Sequence, residues 1–113
     1  MAIARVERQH RLIEELRARA PRFVAGDRLG RGLGVSVRTI ERDVADLVDA
    51  GIPIEVRRGP GGGYSIDARI KLPPVTLSPG EAAAIITALV AVGPYASATA
   101  KSALKKLVGA LSA

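Results

Sequence analysis

Apolar residues recur at the spacing of amphipathic helices in three stretches of the amino-terminal half. The first stretch covers about residues 3–19 and ends before Pro21, and the second covers about residues 25–33. The second is weaker because Gly30 and Gly32 each lower helix propensity by roughly 1 kcal/mol relative to Ala. The third covers about residues 36–50, and its apolar face consists of Val37, Ile40, Val44, Leu47 and Val48.

A short turn joins the second and third predicted helices. Gly34 suits the left-handed conformation that closes a helix, and Ser36 suits the N-cap of the next one. Two helices joined by about three residues form a helix-turn-helix. The segment therefore predicts a helix-turn-helix with the helix of residues 36–50 as its second member.

A β-hairpin is predicted directly after the third helix. Residues 52–58 alternate apolar and polar side chains, residues 59–63 are Gly-Pro-Gly-Gly-Gly, and residues 64–66 alternate again. Pro53 confines the first strand to an edge or delays its pairing. A hairpin in this place is a wing, so residues 1–70 predict an α+β winged helix-turn-helix domain.

Residues 71–113 predict a linker and a helical extension. Pro73 and Pro74 favour an extended segment, and Ser78-Pro79-Gly80-Glu81 has the pattern of a capping box. Two helices follow, over about residues 79–92 and 96–111, and their apolar content exceeds what one small domain needs to cover. We expect this two-helix extension to be a dimerisation element or a linker.

The composition excludes several classes of protein. With 48% hydrophobic and 25% charged residues, the chain is expected to fold rather than stay disordered. It has no cysteine and one histidine, which removes disulfides, thiolate metal sites and histidine clusters. We find no membrane span, secretory signal or set of nucleophile, base and orienting group. The expectation is a cytoplasmic protein that is not an enzyme and needs no cofactor.

The net charge of +6 permits a polyanionic partner, although charge alone is equally consistent with simple solubility. The outer face of the third helix is more informative, because it combines Arg38, Thr39 and Arg42 with Ser36 at its start. Arginine reads guanine edges in the major groove. The alternative is a solvated face on which these arginines pair with Glu41 and Asp46.

The predicted wing carries Arg57 and Arg58 beside the glycine-rich tip. Glycines such as Gly61 and Gly62 let a backbone approach phosphates closely, and basic side chains at a tip can enter the minor groove. The alternative is a flexible hairpin whose charges protect an edge strand. A nucleotide cradle is disfavoured, because the loop joins two strands and lacks the glycine spacing of such motifs.

Four motifs together resemble a known family: Leu33-Gly-Val-Ser-Val-Arg-Thr-Ile-Glu-Arg-Asp-Val-Ala-Asp-Leu47, Ala50-Gly-Ile-Pro-Ile54, Arg58-Gly-Pro-Gly-Gly-Gly-Tyr64 and Lys71-Leu-Pro-Pro-Val-Thr-Leu-Ser-Pro-Gly-Glu81. Over about residues 5–92, the chain is similar to the DeoR-like transcription regulators that carry a C-terminal WYL domain. The resemblance implies a cytoplasmic dimeric regulator, with the third helix in the major groove and the wing on the backbone or minor groove. It places Ser36, Arg38, Thr39 and Arg42 on the DNA-facing helix and Arg57 and Arg58 on the wing.

This sequence departs from the family pattern at two points. The second helix begins after Ala25-Gly26, where the family usually has a Ser or Thr cap. In addition, the ligand-sensing WYL domain that the resemblance implies is not among these 113 residues, which assign no effector.

Two functional hypotheses follow from the sequence. The first is a homodimeric transcription regulator that binds double-stranded DNA sequence-specifically. The second is a winged helix that docks another protein, which an apolar or acidic outer face on the third helix would favour. RNA binding is disfavoured, because aromatic side chains suited to base stacking are scarce.

Overall fold

The structure is a computed structural model that describes residues 5–67, 71–91 and 97–113. The chain divides into two compact units, residues 1–71 and 72–113. The first contains α1 (Arg5–Arg19), α2 (Gly26–Leu33), α3 (Val37–Asp49), β1 (Ile54–Arg57) and β2 (Gly63–Ile66), and the second contains α4 (Pro79–Ala91) and α5 (Ala98–Ser112). The architecture is the predicted α+β winged helix-turn-helix followed by two helices. The predicted start at residue 3 and the predicted break at 92–96 lie outside the described residues.

The turn between α2 and α3 has the predicted geometry. Gly34 adopts a left-handed conformation with φ of 71°, and the Val35 amide donates to the Gly30 carbonyl at 2.9 Å. Ser36 then caps α3, because its Oγ accepts from the Thr39 amide at 3.1 Å. Residues 34–36 therefore form the short turn between the two helices.

The core of the first unit is aliphatic. Leu12 and Leu16 of α1, Leu29 of α2 and Ile40 of α3 are fully buried, and the surrounding cluster is completed by Val24, Leu33, Val44, Ile54 and Ile66. Burial of each such side chain contributes about 1.5–3 kcal/mol. This shared core fixes α3 against α1, α2 and the hairpin.

The predicted apolar face of α3 is only partly buried. Ile40 and Val44 are buried, whereas Val37 and Val48 are 42% and 43% exposed. At 100° per residue these two valines share one edge of the face, and both line an open groove beside the hairpin. The apolar face predicted for α3 therefore extends beyond the core to this groove.

The hairpin pairs antiparallel, with Ile54 opposite Ile66 and Arg57 opposite Gly63. Pairing begins directly after Pro53, as that residue requires. The hairpin is also fixed to the α1–α2 connection, because Val24 and Tyr64 exchange two backbone hydrogen bonds of 2.8 and 2.9 Å. Gly63, at φ of 142°, permits this contact, since a Cβ there would lie 2.2 Å from the Val24 carbonyl oxygen.

The second unit begins with the predicted capping box. The Ser78 amide donates to Glu81 Oε1 at 2.9 Å, and the Glu81 amide donates to Ser78 Oγ at 3.1 Å. α4 contacts α5, whose N-cap Ser97 accepts from the Ala100 amide at 3.2 Å. None of the helices within the described residues is long and apolar enough to span a bilayer.

Candidate nucleic-acid interface

The predicted DNA-facing residues of α3 lie together on its outer side. Ser36, Arg38 and Arg42 are exposed, and Thr39 is half-buried. Within the described ranges, neither arginine takes part in an ion pair or a side-chain hydrogen bond. The alternative pairing with Asp46 does not form, because Asp46 Oδ2 lies 2.5 Å from Arg5 Nη2. Both guanidinium groups therefore face solvent with their donors available.

The first turn of α3 holds two hydroxyl groups side by side. Ser36 Oγ and Thr39 Oγ1 are 3.1 Å apart, and either one can be the donor. Because they share one hydrogen bond, one of the two hydroxyl protons remains to donate outward. The cap thus fixes the first turn and leaves a neutral donor beside Arg38.

A buried carboxylate at the border of the apolar face of α3 binds helix α1. Arg8 donates to Asp43 through Nε at 2.5 Å and Nη2 at 2.9 Å, and Gln9 Nε2 donates at 3.2 Å. Burial raises the pKa of Asp43, but the hydrogen bonds from Arg8 and Gln9 outweigh burial and hold that pKa below its ordinary value. The acidic groups of α3 at 43 and 46 are therefore engaged by α1, so neither of them neutralises Arg38 or Arg42.

This contact of Asp43 was not predicted from the sequence. The signal was present, because Asp43 lies directly beside Val44 and one turn before Leu47, at the border of the apolar face. A charge in that place is stable only if it is paired.

The two basic residues of the wing have different surroundings. Arg57 lines the groove beside α3, and its guanidinium also stacks on the Phe23 ring at 4.0 Å from the ring centroid. Arg58, at the end of β1, lines the groove. Phe23 was not predicted from the sequence, because only the folded chain brings it against β1.

A groove of about 810 Å³, the α3–wing groove, separates α3 from the hairpin. Its lining is partly apolar, with Val37, Val48 and Val56, and partly acidic, with Glu41 and Asp49. Burial raises the pKa of Tyr64 at this groove; Glu41 also raises it, and Arg58 opposes the rise. The groove is thus less basic than the outer face of α3.

The glycines of the wing tip differ in what they allow. Gly61 is exposed at φ of 73°, and a Cβ there would meet nothing within 4 Å. Gly62 donates its amide to the Gly59 carbonyl at 2.9 Å, and a Cβ there would lie 2.3 Å from the Arg57 carbonyl oxygen. Gly62 is therefore required by the turn itself, while Gly61 presents open backbone.

The structure thus brings Ser36, Arg38, Thr39 and Arg42 to one face, and sets Arg58 and Gly62 at the adjoining groove. Within the described ranges no group of three or more His, Cys, Asp or Glu side chains is arranged to hold a metal ion.

Residues 8–65 match the protein family described as an HTH domain. The chain is also 40% identical over 78 residues to an uncharacterised HTH-type transcriptional regulator, YobV, of Bacillus subtilis, an alignment that covers 66% of this chain. The alignment spans 25% of the length of that relative. No solved structure matches the chain.

Proposed function

This chain belongs to the HTH domain family, and on that premise we propose that it is a transcription regulator that binds double-stranded DNA sequence-specifically. One observation carries the proposal: Arg38 and Arg42 lie one turn apart on the exposed face of α3 without an acidic partner among the described residues. A helix in the major groove presents its amino-terminal residues to base edges. Arg38 and Arg42 are the proposed readers of guanine.

The remaining residues of α3 have supporting roles in this proposal. Ser36 and Thr39 share one hydrogen bond, and the proton left over donates to a phosphate oxygen beside the major groove. Phosphate contacts of this kind fix the position of a protein on the duplex and carry little sequence information.

The wing is proposed to contact the backbone or minor groove next to the α3 site. Arg58 and the open backbone at Gly61 make that contact, and Gly62 shapes the tip. Arg57, stacked on Phe23, contributes a second positive charge to the wing. The assignment is supported by the fixed position of the hairpin, which Val24 and Tyr64 tie to the helix-turn-helix.

The two-helix extension is proposed to pair with a second copy of the chain. Its support is a set of exposed apolar side chains on α4 and α5, namely Ile85, Val90, Val108 and Leu111. A dimer would present two α3 helices to half-sites about one helical turn apart. By the family resemblance, such a regulator is of the DeoR-like type and works in the cytoplasm.

The test is a titration of fluorescent duplex DNA from the genomic neighbourhood of the coding sequence, beside a scrambled duplex, at several salt concentrations. Arg38→Ala/Arg42→Ala is compared with Arg11→Ala/Arg17→Ala, which removes the same charge from exposed positions of α1. Each bidentate arginine–guanine pair contributes about 1–3 kcal/mol of discrimination. We expect the α3 variant to lose most of its preference for the genomic duplex and the α1 variant to keep it.

Equal weak binding of the wild type to both duplexes, unchanged in the α3 variant, would sink sequence-specific recognition. Docking of another protein on the winged helix would then be the better-supported function. One observation favours it: exposed valines line the α3–wing groove together with Glu41 and Asp49. A Val48→Lys change in that groove would weaken protein docking. It would leave DNA recognition by Arg38 and Arg42 intact.

A further inference from the structure

A small pocket of about 240 Å³ lies where the α1–α2 connection meets the wing tip. We call it the arginine pocket, and it is lined by Arg19, Arg22, Phe23, Val24, Ala25, Arg28, Gly61 and Gly62. Its three arginines come from the end of α1, the connection and the first turn of α2. The three positions lie within residues 19–28, but they form no recognisable sequence motif.

The arginine pocket carries uncompensated positive charge. Arg19 Nε lies 2.5 Å from Glu15 Oε1, which neutralises one of the three guanidinium groups. No ion pair or side-chain hydrogen bond engages Arg22 or Arg28 across the described ranges, and no acidic side chain lines the pocket. The nearby Asp27 carboxylate is held by Arg31 Nη1 at 3.1 Å. Two guanidinium groups therefore keep their donors available at one place.

The arginine pocket lies on the other side of the wing tip from α3. Ala25 and Gly62 line both this pocket and the α3–wing groove, so the two cavities adjoin at the wing tip. Arg22 and Arg28 therefore line the cavity next to the α3–wing groove. Phe23, on which the Arg57 guanidinium stacks, also lines the pocket.

We propose that the arginine pocket holds one phosphate group of the DNA backbone, bound by Arg22 and Arg28 beside the wing tip. The proposal deepens the proposed function and rests on it. Guanidinium groups bind phosphate oxygens through paired N–H donors, which makes arginine the residue best suited to this ligand. The pocket would anchor the duplex beyond the wing, so that the tip lies between two contacts with DNA rather than at the end of one.

The first test compares salt dependence among matched variants. A plot of log K against log salt has a negative slope, and loss of one phosphate contact makes it shallower by about 0.9. We expect Arg22→Ala/Arg28→Ala to show that change, with the same fold-loss of affinity for the genomic and scrambled duplexes. Arg11→Ala/Arg17→Ala, which leaves the pocket intact, should keep the wild-type slope. A double variant that behaves like this α1 control would overturn the proposal.

The second test locates the phosphate on the DNA. Duplexes are prepared with a single neutral methylphosphonate linkage, moved one position at a time along the genomic site. One linkage should weaken the wild type and leave Arg22→Ala/Arg28→Ala unaffected, because the partner of that phosphate is already gone. If every linkage weakens both proteins equally, the pocket contacts no phosphate.

A third arm separates DNA from a free anion. Inorganic phosphate is titrated into the DNA-free protein while the Gly61 and Gly62 amides are followed by NMR. Shifts of these amides, together with DNA binding that the pocket variant leaves unchanged, would assign the pocket to a small anion and overturn the proposal. A wild type that binds neither duplex refutes the proposed function itself. A pocket variant equal to its control, with the wild type still selective, refutes the pocket alone.

Discussion

Gly30 and Gly32 lie two residues apart in α2, and an added β-carbon would meet different surroundings at each. At Gly30 it would lie 2.6 Å from the Val35 carbonyl oxygen, whereas at Gly32 it would meet nothing within 4 Å. Gly32→Ala should therefore stabilise the fold by about 0.5–1 kcal/mol through helix propensity. Gly30→Ala should destabilise it by about 1–3 kcal/mol, because the turn into α3 must move. Urea denaturation of both variants checks this pair, and equal effects of one sign would contradict it.

The ion pair between Arg8 and Asp43 predicts a pH dependence of stability. Because the folded-state pKa of Asp43 is lowered, its contribution is complete above the unfolded-state pKa of about 3.9 and is lost as pH falls through the folded value. At pH 7, Asp43→Asn should destabilise the fold by on the order of 3 kcal/mol, because the partly buried Arg8 guanidinium then has no negative partner. The gap from wild type should narrow as the pH falls below about 4.

Asp46→Asn is the matched control for that measurement. Its partner Arg5 and its own side chain are 64% and 43% exposed, so this pair contributes at most about 1 kcal/mol. Urea denaturation at neutral and acidic pH compares the two variants. A stability gap for Asp43→Asn that stays constant across the acid range would show that the charge of Asp43 is not what holds α1 to α3.

Single residues show where sequence reasoning reaches its limit. The cap at Ser36 and the left-handed Gly34 were predicted and confirmed, because both depend on neighbours within a few positions. Arg8 and Gly30 were not assigned their roles, because these depend on how α1 packs on α3 and how closely the turn approaches α2. Arg22 and Arg28 were missed for the same reason.

At the scale of the element, Ser36 at the amino end of α3 has two roles that mutation can separate. It caps the helix, and it lies on the proposed DNA-facing side. Ser36→Ala should destabilise the fold by about 1 kcal/mol, while Ser36→Asp should retain the cap and the stability. The aspartate, however, brings a negative charge to the proposed interface, so Ser36→Asp should weaken DNA binding, most strongly at low salt. Thermal denaturation and duplex titration of both variants check this. Wild-type DNA affinity for Ser36→Asp would remove Ser36 from the interface.

The hairpin shows how much of an element its own sequence specifies. Alternation and the glycine-rich tip predicted both strands, and the register of Ile54 with Ile66 puts the two apolar side chains in the core. The sequence did not show that the Arg57 side of the hairpin packs on Phe23. Contacts between elements distant in the chain depend on tertiary packing, which period and composition do not encode.

At the scale of the molecule, the fold class followed from the order of the elements, because three helices and a hairpin have few ways to share one small core. The match of residues 8–65 to the HTH domain agrees with that inference. The narrower resemblance to the WYL-domain regulators stays a prediction, as do the division of the chain into two functional domains and the roles of the interface residues.

The last prediction concerns assembly through the two-helix extension. Val108 and Leu111 of α5 are 44% and 45% exposed, and apolar side chains gain free energy when a partner covers them. We expect the sedimentation mass to rise with concentration from 11.8 kDa toward twice that value. Val108→Asp/Leu111→Asp should remain monomeric, since pairing would bury two charges. Thr99→Asp/Ser102→Asp, at exposed positions on the opposite side of the same helix and with the same change of charge, should still dimerise. A wild type that stays monomeric at high concentration would mean that this surface does not pair with a second copy, and DNA binding by α3 would then engage a single half-site.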